Sequence, residues 1–292
     1  MDLTSPHNVL KCSSLVMKVR RSHPDDCAAI EVLCQSAHRK LPRMWWWEEY
    51  LAEELFVVTE EEGIVTGALL AWPDESPVAW VRMAVLSDAL GLDRWLDLVL
   101  SPILERLPRY GVRKLAWMDC DHWVGGHLEA RGFERLAEVM TLIKRDRALP
   151  SVVASNVRLR QGKDGDVPAV VAVDRAAFTP HWWCSGTTMR RRTCLPSHHF
   201  SVAELRGRVV GYTEGELCPP AAHINRIAVH PTCQGHSVGA LLLQDALRAF
   251  WRCGAECVTL NTQVYNRRSR RLYRRFGFEP IGDVTAVWEL QL

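Results

Sequence analysis

The chain has 292 residues, 48% of them apolar and 24% charged, with a formal net charge of +2. That length suits two domains of about 140 residues, each able to bury its own core. The composition excludes a disordered chain, no apolar run reaches the roughly 18 residues of a membrane-spanning helix, and the small net charge predicts neither nucleic acid nor membrane as a partner.

The first twenty residues, Met1 to Arg20, lack the basic start, long apolar stretch and small-residue cleavage site of a secretory signal, so a cytoplasmic location is expected. Ten cysteines are scattered without paired short spacings, which points to reduced thiols rather than disulfides and assigns no metal site. Val19 to Ile30 reads as a short strand, a polar turn and a helix start, and Trp45, Trp46 and Trp47 follow it. Farther on, Gly132, Phe133 and Glu134 close a helical stretch before an apolar strand at Met140 to Lys144.

Both features return later in the chain. Val19 to Ile30 aligns without a gap on Leu159 to Val170, and Gly132-Phe133-Glu134 is answered by Gly277-Phe278-Glu279. The chain therefore reads as a tandem duplication. The strand pattern breaks at Pro150, which places the boundary between domains 1–150 and 151–292. In the second half the order is a strand (157–160), a helix (about 166–178), a tryptophan-containing loop and helix (180–194), strands at 199–205, 208–218 and 223–229, a helix (238–253), a strand (256–262), a helix (267–275) and strands to the end. That is an α+β fold, a mixed and mostly antiparallel sheet flanked by helices.

His223 to Leu243 runs from a strand through a turn at Pro231 into a glycine-containing loop and then an amphipathic helix. A helix N-terminus offers unpaired backbone N–H groups and partial positive charge, and small residues let a pyrophosphate approach them closely. The spacing alone fits a phosphate cradle or a plain tight connection. Downstream, Asn266 is a favourable N-cap, Ser269 and Tyr273 share its helix face, and Gly277 supplies the stop. Six arginines lie among residues 267–275, and most of them must point to water.

Ile227 to Pro231, followed by Gln234, Gly239 and Ala240, resembles the cofactor signature of the GCN5-related N-acetyltransferase (GNAT) superfamily, with Ser237 where that family usually has its first glycine. Asn261 to Phe278 resembles the family's second motif, Asn-x-x-Ser/Ala-x-x-Leu-Tyr-x-x-x-Gly-Phe. The resemblance implies two tandem GNAT-like domains and acetyl-CoA as cosubstrate. It assigns cofactor contacts to Ile227, Ala228, Val229, Gln234, Gly235, His236, Ser237, Val238, Gly239, Ala240, Asn266, Ser269 and Tyr273. It also implies that Tyr273 protonates the leaving thiolate, and that the backbone of Ile227 to Val229 pairs with the pantetheine arm.

An amine must lose a proton before it attacks, and for a lysine-like pKa near 10.4 only about one molecule in a thousand is neutral at pH 7. One position that serves as base in the family is asparagine here, Asn261; another is His223, and Glu214 and Glu216 are fallback carboxylates on the preceding strand. Strict alternation puts His223, Asn225, Ile227 and Val229 on one face.

The first half lacks the cofactor signature: Asp88 and Asp93 flank the corresponding loop, and Leu128 stands where Tyr273 would be, so residues 1–150 are expected to be a degenerate copy. The tryptophans at 45–47 and at 182 and 183 either line an acceptor pocket or pack the halves together. The expected function is acetyl transfer to a primary amine by direct attack. The acceptor is a protein N-terminus or lysine, as the resemblance to the ribosomal-protein alanine acetyltransferase branch implies, or a small molecule, as in the similarly tandem mycothiol synthases. A non-catalytic acetyl-CoA-binding regulator is the alternative.

Overall fold

The structure is a computed structural model and describes residues 17–41, 46–75, 77–153, 156–195 and 197–292; Trp45 lies outside them. The chain packs as two compact units, one from the described residues of 1–70 with 82–106, the other from those of 71–81 with 107–292. Among the described residues no helix is long and apolar enough to cross a membrane, nine cysteines are outside any disulfide, and no group of three or more His, Cys, Asp and Glu residues is arranged to hold a metal.

The smaller unit holds β1 (Lys18–Arg21), α1 (Cys27–Ser36), β2 (Arg39–Leu41), β3 (Phe56–Glu61), most of β4 (Ile64–Trp72), the end of β5 (Val78–Leu86) and α2 (Leu92–Arg106). Pro24 starts the turn into α1, whose Ile30 and Leu33 fall one turn apart and bury together against Trp47, Phe56 and Met83.

The larger unit holds β6 (Lys114–Asp119), α3 (Gly125–Glu129), β7 (Glu134–Lys144), β8 (Val157–Gln161), α4 (Val167–Ala177), α5 (Gly186–Thr193), β9 (His198–Leu205), β10 (Arg208–Cys218), β11 (Ala221–Val229), α6 (Val238–Arg252), β12 (Cys257–Gln263), α7 (Arg267–Arg275) and β13 (Glu279–Gln291). Its strands run β6-β13-β7-β12-β11-β10-β9-β8, antiparallel except for β11 beside β12. The α+β architecture with a mostly antiparallel sheet is the one expected. The last strand of the sequence is inserted between β6 and β7, and β7 takes the place beside β12.

The repeat is also visible in side chains. Arg20 donates to both oxygens of Asp26, each at 2.7 Å, and through Nε to Glu60 at 2.7 Å. Arg160 does the same to Asp166, at 2.6 and 2.7 Å, and to Glu204 at 2.8 Å. In both copies the arginine holds the aspartate's carboxyl below its ordinary range.

The sheet of the larger unit is covered on both faces. Leu243, Leu247 and Phe250 of α6 bury against Ala222, Ile224, Val258 and Leu260. On the other face Val170 and Val173 of α4 bury against Phe200, Val202, Tyr212 and Ala228. Leu243, Leu247 and Phe250 repeat at helical spacing, as burial of one stripe requires.

Strand β11 carries the feature that positions the site. Glu214 stands opposite Arg226 and Gly215 opposite Ile224, so Asn225 is an extra residue, a β-bulge. Gly215 permits it, since a Cβ there would lie 2.4 Å from the His223 carbonyl oxygen. Asn225 and Arg226 therefore both reach toward the α4 face, to Glu214 and Asp174. Ile227 and Val229 turn to the α6 face with Val238 and Leu242. This corrects the strict alternation expected from sequence, because the extra residue reverses the faces of everything after it.

Pairing of β11 with β12 stops at Ile224 and Leu260. Beyond that point β11 follows β10, and β12 follows β7, so the two diverge.

The buried Asp174 accepts from Arg226 Nε at 2.9 Å and Nη2 at 2.7 Å, from the Tyr212 hydroxyl, and from the Cys184 N–H at 3.0 Å. Removing one partner of such a group leaves the other charge buried and uncompensated. Asp174→Ala is expected to cost about 3–5 kcal/mol of stability, read from urea unfolding midpoints; a loss below about 1 kcal/mol contradicts a structural role for the pair.

Candidate active site

The chain leaves β11 at Val229, passes the turn at Pro231 and enters α6 through Gln234 to Ser237. Gly235 and Ser237 both have left-handed backbones, with φ of 89° and 62°. Ser237 is thus a serine in the conformation that favours glycine, and its side chain makes no capping hydrogen bond. Gln234 folds the loop back by donating to the Val229 carbonyl at 3.0 Å, and its own carbonyl accepts from Arg268. Loop and α7 are held together by this side chain.

Between them lies a cleft of about 500 Å³. Ile227, Ala228 and Val229 form one wall, and Gln234, Gly235, Ser237, Val238, Gly239 and Ala240 form its rim at the start of α6. Asn266, Ser269 and Tyr273 form the opposite wall. Of the residues predicted from sequence to contact the cofactor, His236 is outside this lining. The arrangement fits a phosphopantetheine thioester: a helix N-terminus with small residues for pyrophosphate, and a strand edge released from β12 for an amide-bearing arm.

Helix α7 divides its arginines by face. Arg268 and Arg275, seven residues apart, join Leu272 on the cleft side, while Arg267, Arg270, Arg271 and Arg274 line a separate surface depression. Asn266 caps the helix, its Oδ1 accepting from the Ser269 N–H at 3.1 Å. Tyr273 is buried, and burial pushes its hydroxyl up to about 12, with a hydrogen bond to Ser269 acting in the opposite direction.

A second cavity, of about 150 Å³, adjoins the first and shares Phe178, Ile227, Asn266, Ser269 and Tyr273 with it. Met118 of β6, Val139 of β7, Trp182, Asn225, Asn261 and Gln263 are among the other residues of its wall, as is Arg226. Met118 and Val139 could not be found from sequence, because they reach the site only through the exchange of β7 and β13. Trp182 lines this cavity and also packs on Trp80, with ring centroids 5.2 Å apart. Trp183 instead donates to the Phe178 carbonyl at 3.0 Å and carries Arg175 over its ring. Arg226 stacks over Phe178 at 4.5 Å and donates to the Trp182 carbonyl.

His223 and Glu214 lie beside the second cavity rather than in its lining. His223 Nδ1 meets Thr259 Oγ1 at 2.8 Å, and burial lowers its pKa from 6.5, against the partial opposition of Glu214. Glu214 is completely buried, with Arg192 donating to one oxygen and Asn225 to the other, both at 3.0 Å. Glu216 is raised above its ordinary value by burial and by Glu214. In the smaller unit, Asp88 in the loop before α2 accepts from the His38 N–H at 3.2 Å and meets its ring at 2.6 Å.

The model of the acetyltransferase (GNAT) family matches residues 170–278. A Methanocaldococcus jannaschii protein named as an uncharacterized N-acetyltransferase is 33% identical over 123 residues, 41% of this chain and 76% of that protein. A Bacillus subtilis protein bearing the name of a ribosomal protein bS18-alanine N-acetyltransferase is 27% identical over 117 residues, 40% of this chain and 77% of that one. Among solved structures, a tandem GNAT protein from the clavulanic acid biosynthesis pathway aligns with a TM-score of 0.68 at 16% identity, covering 94% of this chain and 98% of that one.

Ser237→Gly relieves the left-handed strain without removing a hydrogen bond, so it is expected to raise stability by up to about 1 kcal/mol in urea unfolding. Destabilisation by Ser237→Gly contradicts the strained-serine reading.

Proposed function

Because the chain belongs to the acetyltransferase (GNAT) family, we propose that this acetyl-CoA-dependent N-acetyltransferase transfers to a primary amine by direct attack, with its reaction centre where the two cavities meet at Tyr273. The observation that carries this reading is that Tyr273 belongs to both linings, so one hydroxyl is within reach of a ligand on either side. Bound acetyl-CoA supplies an acyl carbon activated as a thioester and a thiolate leaving group.

The chain's residues have three tasks. The N-terminus of α6, with Gly235 and Ser237, holds the diphosphate, and Arg268 and Arg275 add positive charge at the rim. The unpaired edge of Ile227 to Val229 orients the pantetheine amides as an added strand does. Tyr273 hydrogen-bonds the sulfur as charge develops on it. With its value pushed up to about 12, against about 8.5 for an ordinary thiol, the hydroxyl works as a donor more readily than as a full proton source.

The acceptor enters the second cavity. No carboxylate or imidazole belongs to its lining among the described residues, so the amine proton leaves through water. His223 is the proposed destination: burial keeps it neutral at pH 7, whereas both oxygens of Glu214 are already engaged. A peptide or protein amine and a small-molecule amine both remain within this reading, as does a structural role for the first 150 residues.

Tyr273→Phe is expected to lower kcat by about 10²–10³-fold, measured as free CoA released with an amine panel, while acetyl-CoA affinity by titration calorimetry stays within about threefold. A Phe variant that keeps its kcat eliminates the donor role. His223→Gln should slow kcat by about tenfold or more and remove an acid limb lying below about pH 6.5 from the rate profile. An unchanged limb moves the base elsewhere.

A further inference from the structure

The bulge at Asn225 gives this cavity a defined polar contact. Asn225 lines the cavity and donates through Nδ2 to Glu214 at 3.0 Å. A carboxylate only accepts, so the orientation of the Asn225 carboxamide is fixed by chemistry: nitrogen to Glu214, oxygen free for another donor. Glu214 is completely buried, and its charge is matched by Arg192, which donates at 3.0 Å to its other oxygen. The one charged residue of the lining among the described residues, Arg226, is matched by Asp174. The cavity therefore offers a neutral acceptor oxygen and no uncompensated negative charge. An ammonium entering this small space, walled by neutral amide and hydroxyl groups beside apolar side chains, exchanges water for neutral partners without gaining a counter-charge, whereas a neutral amine loses little.

Resting on the transfer reading above, we propose that Asn225, positioned by Glu214, orients the reacting amine through its carboxamide oxygen and that the site selects weakly basic primary amines over lysine-like ones. The amine N–H donates to Asn225 Oδ1, which turns the nitrogen lone pair toward the acyl carbon. The lone pair forms the N–C bond as the C–S bond breaks, the sulfur leaves with its electron pair, and the surplus amine proton passes to water on the way to His223. Asn225 touches the substrate and is a specificity-determining residue. Glu214 acts through it and is a positioning residue.

The test uses the full chain with acetyl-CoA and two acceptors of similar size, an amino-acid amide, whose amine has a pKa of about 8, and an unbranched alkylamine, of about 10.4. Release of CoA is followed against pH. The wild type is expected to favour the amide by about a hundredfold in kcat/KM at pH 7, with the pH dependence tracking the acceptor's own ionisation. Asn225→Ala should lower kcat/KM for the amide by about tenfold with acetyl-CoA affinity unchanged. Glu214→Gln leaves the Arg192 charge unmatched and is expected to lower stability, but it should add no loss of kcat/KM on top of Asn225→Ala, whereas a role independent of Asn225 would add its own. Equal use of both amines by the wild type, or an Asn225→Ala variant within about twofold of it, overturns the proposal alone. No turnover of any amine by the wild type overturns the transfer reading, and the proposal with it.

Discussion

The buried pair between Asp174 and Arg226 is the interaction on which the site depends. Asp174 ends the buried stripe of α4, and Arg226 stands on β11 immediately after the bulge. Their contact ties the helix to the strand, while Arg226 also fixes the loop above by donating to the Trp182 carbonyl and stacking on Phe178. Asp174 in turn receives the Cys184 N–H at the far end of that loop. One ion pair thus places Phe178 and Trp182, which both line the second cavity. A buried pair of this kind need not stabilise the fold more than apolar residues would, but it defines a geometry that apolar residues would leave loose.

The bulge converts a sheet into a site. By reversing the alternation after Asn225 it sends Ile227 and Val229 toward α6 and sets Asn225 against Glu214. The divergence of β11 from β12 then frees a strand edge beside the N-terminus of α6. The close approach at Gly215 accompanies the bulge, and Ser237 carries a left-handed backbone in the loop that follows the strand. The wall opposite β11 comes from elsewhere in the sequence: Met118 and Val139 arrive on β6 and β7, brought alongside by the insertion of β13. The first 150 residues therefore contribute to the larger unit even though they lack the cofactor signature.

What could be read in the sequence was whatever depends on near neighbours. The loop from Gln234 to Ala240, the cap at Asn266 and the shared face of Ser269 and Tyr273 are set within a few residues, and the structure brings them to one cleft. The helices and strands of the second half follow their periodicity for the same reason. The strand exchange was not legible, because β7 and β13 are equally good partners for β6 and β12 by pattern alone. Nor was the bulge: a single extra residue leaves hydrophobic alternation almost intact while moving His223 and Ile227 to opposite faces. The one local signal for it was Gly215, a glycine inside a strand, which often marks such a place. His236 was carried by the motif's spacing, yet its side chain is not needed to close the cleft.

The central claim is that acetyl-CoA occupies the cleft between the Gln234–Ala240 loop and α7. An electron-density map of the chain crystallised with acetyl-CoA tests it most directly. The account predicts the diphosphate at the N-terminus of α6, the pantetheine amides paired with the backbone of Ile227 to Val229, and the sulfur beside the Tyr273 hydroxyl. Density for the cofactor at the loop before α2, or with its sulfur away from Tyr273, would contradict it.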